Sequence, residues 1–345
     1  MYLRSFEYFR AVTIVLIVMG HCYGISGWEL DSFWDRVLAN MISGGTSLFV
    51  FISGFLFYHV FYPKFVYIKF MEKKIKNVYI PYLILSIIPV CIALYTRIPY
   101  EEFYFGPQDT IYDQIIRPVL LHYWYGGVMV YWYIPFIMAM YIISPVFIWY
   151  IHRSLKEKIY IVCILTLISI FMHRPVNNWS IVQSVLYFSP VYMFGILCSM
   201  EREWIYEKLK GKDYYLLSFV IFLAFLQAFV MDTCGNMQKN PFDYNGIDIS
   251  FLQKNVLCLF FMVFLHRFED KEFMLLKHLA VSSFSIYFLH GWFILFIWQG
   301  REYYEKYDGL YTLPLFTALV VWVSYVTAVR IKKVFPNKSR MLIGW

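Results

Sequence analysis

The sequence predicts an all-α integral membrane protein, a bundle of about ten transmembrane helices with both termini cytoplasmic, and three observations lead there. Of 345 residues, 60% are hydrophobic and 15% charged, too little polar surface to coat a globule of this size. The apolar residues fall in blocks of roughly 16 to 25, the length an α-helix needs to cross a hydrocarbon core, and no alternating barrel pattern is present. Lysine and arginine gather in every second connection between blocks, as they do on the cytoplasmic side of a membrane.

In order, the blocks run at about 8–25, 44–62, 78–96, 131–151, 158–173, 183–200, 214–231, 251–267, 276–298 and 311–331. The first has no small-residue cleavage site and holds Arg10 and His21, which a disposable signal segment would not need, so it is read as retained. The connection after it is acidic, with Glu29, Asp31 and Asp35; the next carries Lys64, Lys69, Lys73, Lys74 and Lys76. This alternation continues. Arg153, Lys156 and Lys158, then Arg202, Lys208, Lys210 and Lys212, then Arg267, Lys271 and Lys277 mark the cytoplasmic side, while Glu101, Glu102, Asp109, Asp113, Asp232, Asp243, Asp248, Glu302, Glu305 and Asp308 mark the other. The outward stretch 97–130 is rich in aromatics (Tyr100, Phe103, Tyr104, Phe105, Tyr112, Tyr123, Trp124, Tyr125). It is long for a plain connector and is expected to fold back onto the membrane surface, as an interfacial aromatic belt or as a lid over a sugar ring. No soluble domain, repeat or low-complexity tract interrupts residues 1–345, which are read as one transmembrane domain.

The net charge of +7 lies in runs at helix ends rather than on one soluble face, which argues against a nucleic-acid partner. Cys22, Cys91, Cys163, Cys198, Cys234 and Cys258 are scattered without ligand spacing, so neither a disulfide framework nor a metal site is expected.

Arg10 and His21 stand inside the first block, where an ionisable side chain is costly and is a functional candidate by default. Eleven residues of helix bring them within about 20° of one face and about 16.5 Å apart along the axis. Arg10 then lies near the inner surface and His21 toward the outer one. A guanidinium there can hold an anionic donor, and a neutral imidazole can take a proton from a hydroxyl and pass it on; lipid snorkelling and a plain buried hydrogen bond are the alternatives. Lys73, Lys74 and Lys76 crowd a cytoplasmic helix end and would attract phosphates, although ordinary orientation bias also places lysines there. His290 comes to a depth similar to His21, where it can orient that ring, contact an acceptor or simply bond between helices.

Phe9-Arg10-Ala11 followed by an apolar run to Gly20-His21, Leu48 to Phe51 leading into Ile52-Ser53-Gly54-Phe55-Leu56, Lys73-Lys74-Ile75-Lys76 before Pro81, Tyr131-Trp132-Tyr133 with Ser144-Pro145, and Ser285-Ile286-Tyr287-Phe288-Leu289-His290 occur in this order. Together they resemble the acyltransferase 3 family of membrane O-acyltransferases, in its short form without an SGNH-type domain. The lysine run stands where many relatives carry arginines, and Tyr131-Trp132-Tyr133 where a His-Leu-Trp-Phe type sequence is common.

The resemblance implies transfer of an acyl group, with acetyl expected, from cytoplasmic acyl-CoA to a carbohydrate hydroxyl of a surface polysaccharide or its lipid-linked precursor, in a bacterial inner membrane. It implies His21 as general base and Arg10 as the residue that positions the donor, with Lys73, Lys74 and Lys76 as donor-site helpers and His290, Trp132 and Tyr287 near the acceptor. Membrane lipid, acyl-CoA and the carbohydrate are the expected partners, with a second copy of the chain as a further one. The rival reading is a multi-pass transporter of a lipid-linked sugar or small solute, since intramembrane Arg and His also mark transport pathways.

Overall fold

A computed structural model describes residues 3–96, 106, 110–127 and 129–345, and the regular structure among them is helical apart from one isolated bridge between Arg174 and Gln238. The main helices are α1 (Arg4–His21), α2 (Phe33–Ile42), α3 (Gly45–Leu56), α4 (Tyr67–Lys74), α5 (Ile80–Thr96), α6 (Arg117–Tyr125), α7 (Tyr133–Ile142), α8 (Ser144–Ile151), α9 (Leu155–Met172), α10 (Ile181–Met200), α11 (Asp213–Val230), α12 (Ile249–His266), α13 (Met274–Gln299), α14 (Thr312–Val334) and α15 (Ser339–Ile343).

Seven helical stretches among the described residues are long and apolar enough to cross a membrane, and α7 with α8, bent by 54°, makes an eighth if the pair is one span. Pro145 at the start of α8 causes the bend, because it has no amide to continue the ladder and its ring crowds the preceding turn. The expected count of ten includes α1 and α9. Each has 18 residues but carries three charges, Arg4, Glu7 and Arg10 in one and Lys156, Glu157 and Lys158 in the other. Apart from Arg10, these charges occupy the first turn, where long side chains reach an interface.

The helix α1 runs through the centre of the bundle, against α3, α12, α13 and α14. Phe9, Ala11, Ile14 and Val18 are wholly buried. Leu3 gives no side-chain cap. The Glu269 carboxylate reaches in from the turn after α12 and accepts from the Arg4 amide at 2.6 Å and the Ser5 amide at 2.9 Å. It thereby satisfies orphan donors and meets the positive end of the helix. The cap starts α1 at Arg4, ahead of the apolar block, and His21 is its last residue rather than an interior one.

Two stretches read as connections are helical. Ser32 and Asp35 form a capping box that opens α2 in the acidic connection. The basic connection holds α4, which passes through a π turn (Ile75–Tyr79) into α5. The tightest crossing pairs α3 with α10. A Cβ at Gly54 would collide with the Tyr192 carbonyl oxygen, and one at Gly195 with that of Phe51, so only glycine lets these backbones meet.

Of the expected fold-back segment, residues 97–105, 107–109 and 128 lie outside the described residues, and with them Tyr100, Phe103, Tyr104 and Phe105. Its later part is helical. A π turn (Tyr112–Ile116) leads into α6, and the Tyr82 hydroxyl donates to the carbonyls of His122 at 3.1 Å and Tyr123 at 3.0 Å, which fixes this segment to α5.

Candidate active site

A file of three cavities passes along one face of α1. The largest, about 310 Å³, opens at the end of the bundle that carries the lysine connections and is lined by Arg10, Lys73, Lys74 and Arg340. The middle one is a constriction of about 40 Å³ that shares Phe49, Tyr133, Ser283 and Phe284 with the first and adds His21 and Tyr287. The far one, about 90 Å³, shares Ile17, His21, Thr46 and Trp132 with the constriction and adds Gly44, Gly45, Arg174 and Asn236. His21 therefore stands where the second and third cavities join.

The cavity at the basic end has four cations and no carboxylate among its lining residues. None of the four forms an ion pair within the described structure; the Arg10 Nη2 donates to the Ser283 hydroxyl at 3.0 Å. Lys74 is surrounded by aromatic faces, its ammonium 4.3 Å from the ring centres of both Phe61 and Tyr141 and 5.1 Å from that of Phe70. Such faces attract the ammonium form and offset part of the cost of its burial. A side chamber of about 240 Å³ lies behind Lys74 and Arg10. A cavity lined by basic side chains and no carboxylate attracts anions.

Lys76 does not line the cavity. Helical spacing puts Lys73, Lys74, Asn77 and Val78 on the cavity face and turns Lys76 away.

His21 is exposed to the cavities rather than covered. Its neighbour His290 is wholly buried on α13, the two ring centres 5.3 Å apart. That separation leaves room for a direct nitrogen–nitrogen hydrogen bond of about 3 Å. The Nδ1 of His290 lies 2.7 Å from the Tyr287 carbonyl and 3.1 Å from that of Ile286. Carbonyls only accept, so Nδ1 carries the proton and Nε2 keeps its lone pair. Nε2 is buried without a partner.

Tyr287 lines the constriction and donates its hydroxyl to the Val130 carbonyl at 2.8 Å, while Tyr131 donates to the Phe288 carbonyl at 2.8 Å. These bonds hold the turn before α7 against α13 and so place Trp132, which lines both the constriction and the far cavity.

Several lining residues carry no signal in the motif reading: Ser283, Arg340 and Arg174. Arg174 is one of few basic residues in connections otherwise poor in them, but that oddity does not point to a cavity. Lys254 was findable as a lysine inside an apolar block. It is 2% exposed, and its ammonium donates to the Asn40 carbonyl at 2.7 Å beneath the turn that opens α3.

The sequence model of the acyltransferase 3 family, described as an acyltransferase domain, matches residues 3–329 of this chain. No curated protein and no solved structure matches it. The family match takes in α1 to α13 and nearly all of α14, including every residue of the cavity file except those contributed by the segment after α14. With several helices apolar enough to cross a membrane, this integral membrane protein belongs to the acyltransferase 3 family.

Proposed function

We propose that the protein is a ten-span O-acyltransferase of a bacterial inner membrane, with both termini cytoplasmic. It moves an acetyl group from cytoplasmic acetyl-CoA to a carbohydrate hydroxyl of a surface polysaccharide or its lipid-linked precursor. One observation supports this most directly: His21 stands at the junction between a constriction that opens toward a cation-lined cavity and a second, polar cavity on the opposite side. A donor with phosphates at one end and a thioester at the other suits the first cavity, and a hydroxyl acceptor suits the second.

In this reading Arg10, Lys73, Lys74 and Arg340 hold the phosphate-bearing end of CoA by charge-assisted contacts. The thioester passes Ser283 and Phe284 to reach His21. His21 takes the proton of the acceptor hydroxyl as the oxygen attacks the thioester carbonyl. The new carbon–oxygen bond forms, the carbon–sulfur bond breaks, and the proton goes from His21 to the leaving thiolate, giving the acetyl ester and free CoA. His290, with its proton fixed on Nδ1, offers Nε2 to His21 and stabilises the charged imidazolium between the two proton transfers. Tyr287 and Trp132 shape the passage and the acceptor side.

The test is binding and consumption of acetyl-CoA by purified protein in lipid nanodiscs. Wild type is expected to bind CoA and release its thiol, Arg10→Ala to weaken binding, and His21→Ala to bind but not turn over. A wild type that neither binds nor consumes any acyl-CoA would refute the transferase and favour transport of a lipid-linked sugar or small solute.

A further inference from the structure

The far cavity carries positive potential that the transfer step does not use. Its wall is the start of α3, where Gly44 and Gly45 are buried. Gly44 gives this helix no side-chain cap, and the first amides of a helix have no acceptor in their own turn. A buried helix start without a side-chain cap is a positive end that favours an anion. Opposite it stands Arg174, 6% exposed, its guanidinium carbon 4.3 Å from the centre of the Trp132 ring. Nε donates to the Asn178 side-chain oxygen at 2.5 Å; Nη1 and Nη2 have no hydrogen-bond or ion-pair partner among the described residues.

The acid whose charge Arg174 feels, Asp248, is committed elsewhere. One of its oxygens accepts from the Tyr187 hydroxyl at 2.8 Å and the other from the Phe251 amide at 2.9 Å, and it forms no ion pair with Arg174. The buried Lys254 lies under the same turn, its stem filling the space beside Gly44 and its amine committed to the Asn40 carbonyl. The buried Arg174 and an uncapped helix start thus line a polar cavity of about 90 Å³ that touches His21.

We infer that this cavity is an anion subsite, and that the molecule acylated carries a carboxylate or phosphate close to the hydroxyl that reaches His21. The anion sits between the two free guanidinium nitrogens of Arg174 and the Gly45 and Thr46 amides, with Trp132 beneath the guanidinium fixing its plane. Arginine provides the forked geometry that both oxyanions match. The subsite is independent of the reaction; only its service to an acceptor rests on the transferase reading.

The test avoids acyl-CoA. Protein in nanodiscs is treated with diethyl pyrocarbonate, and modification of His21 is followed by mass spectrometry against glucuronate, glucose 1-phosphate and methyl glucoside. One or both anions are expected to protect His21 at concentrations at least tenfold below the neutral sugar. Arg174→Gln should weaken that protection about tenfold or more, the loss of a charge-assisted pair, and Arg174→Lys should weaken it less. Arg36→Gln, which removes an arginine paired with Asp232 away from the cavity, should keep it. Protection by glucuronate alone assigns a carboxylate, and by glucose 1-phosphate alone a phosphate. Equal protection by all three sugars, protection by none, or protection unchanged in a folded Arg174→Gln protein overturns the subsite. Protection with no consumption of acetyl-CoA by wild type would leave the subsite standing and remove the transferase.

Discussion

Replacing His290 by alanine tests whether His21 works alone. His290 touches no lining surface of the cavities, yet its Nε2 is a buried acceptor without a donor and its ring centre is 5.3 Å from that of His21. In the proposed transfer His21 carries a positive charge, and a neutral Nε2 on the neighbouring ring can accept the N–H of the imidazolium. A hydrogen bond to a charged group contributes about 1.5–3 kcal/mol, so its loss at the charged stage lowers kcat by about 10- to 150-fold. KM for acetyl-CoA should change little, because His290 lies beyond the cavity that holds the cations. His21→Ala, which removes the base, should cost about 100- to 10,000-fold. The double variant should be no slower than His21→Ala, since without the imidazolium there is nothing for His290 to stabilise. The assay is thiol release from acetyl-CoA, with melting temperature as the control for packing, because His290 is wholly buried and its truncation leaves a void. Wild-type kcat in a folded His290→Ala protein, or losses that multiply in the double variant, would refute the pairing.

The remaining predictions concern the donor cavity and the helix crossing beneath it. Arg10→Ala and Arg340→Gln should each weaken CoA binding about tenfold by calorimetry, as expected for one charge-assisted contact, and raised salt should weaken the wild type in the same sense. Lys76→Gln should bind CoA as wild type does, because Lys76 faces away from the cavity; a tenfold loss there would mean that the lysine connection acts as a diffuse charge rather than through the cavity wall. Gly195→Val should destabilise the fold by about 1–3 kcal/mol, read as a lower unfolding midpoint, since its side chain would meet the Phe51 carbonyl at the α3–α10 crossing.

What the sequence made legible follows from which signals are local. Arg10 and His21 lie on one helix, so the eleven-residue spacing alone placed them along one face, and the cavity file meets both. Lys73 and Lys74 were readable as a charged helix end, but the separation of Lys76 from them needed the helical phase through the π turn at Ile75–Tyr79. Arg340 was out of reach because nothing in positions 335–345 tells that the chain turns back after α14. That return depends on tertiary packing: Ile343 is buried beside Leu289 and Ala328, and Gly344 lies so close to the Phe284 ring that a Cβ would collide with it. Arg174 was out of reach for the opposite reason. Its own neighbourhood, His173-Arg174-Pro175, looks like an ordinary helix end, and its chemistry comes from what it lacks, a carboxylate partner, together with Trp132 from 42 positions earlier. A motif records residues that a site requires in a fixed order along the chain. Charge balance in a buried cavity is a sum over whatever the fold brings together, and so the two arginines that complete this site, one at each end of the cavity file, emerge only when the helices are packed.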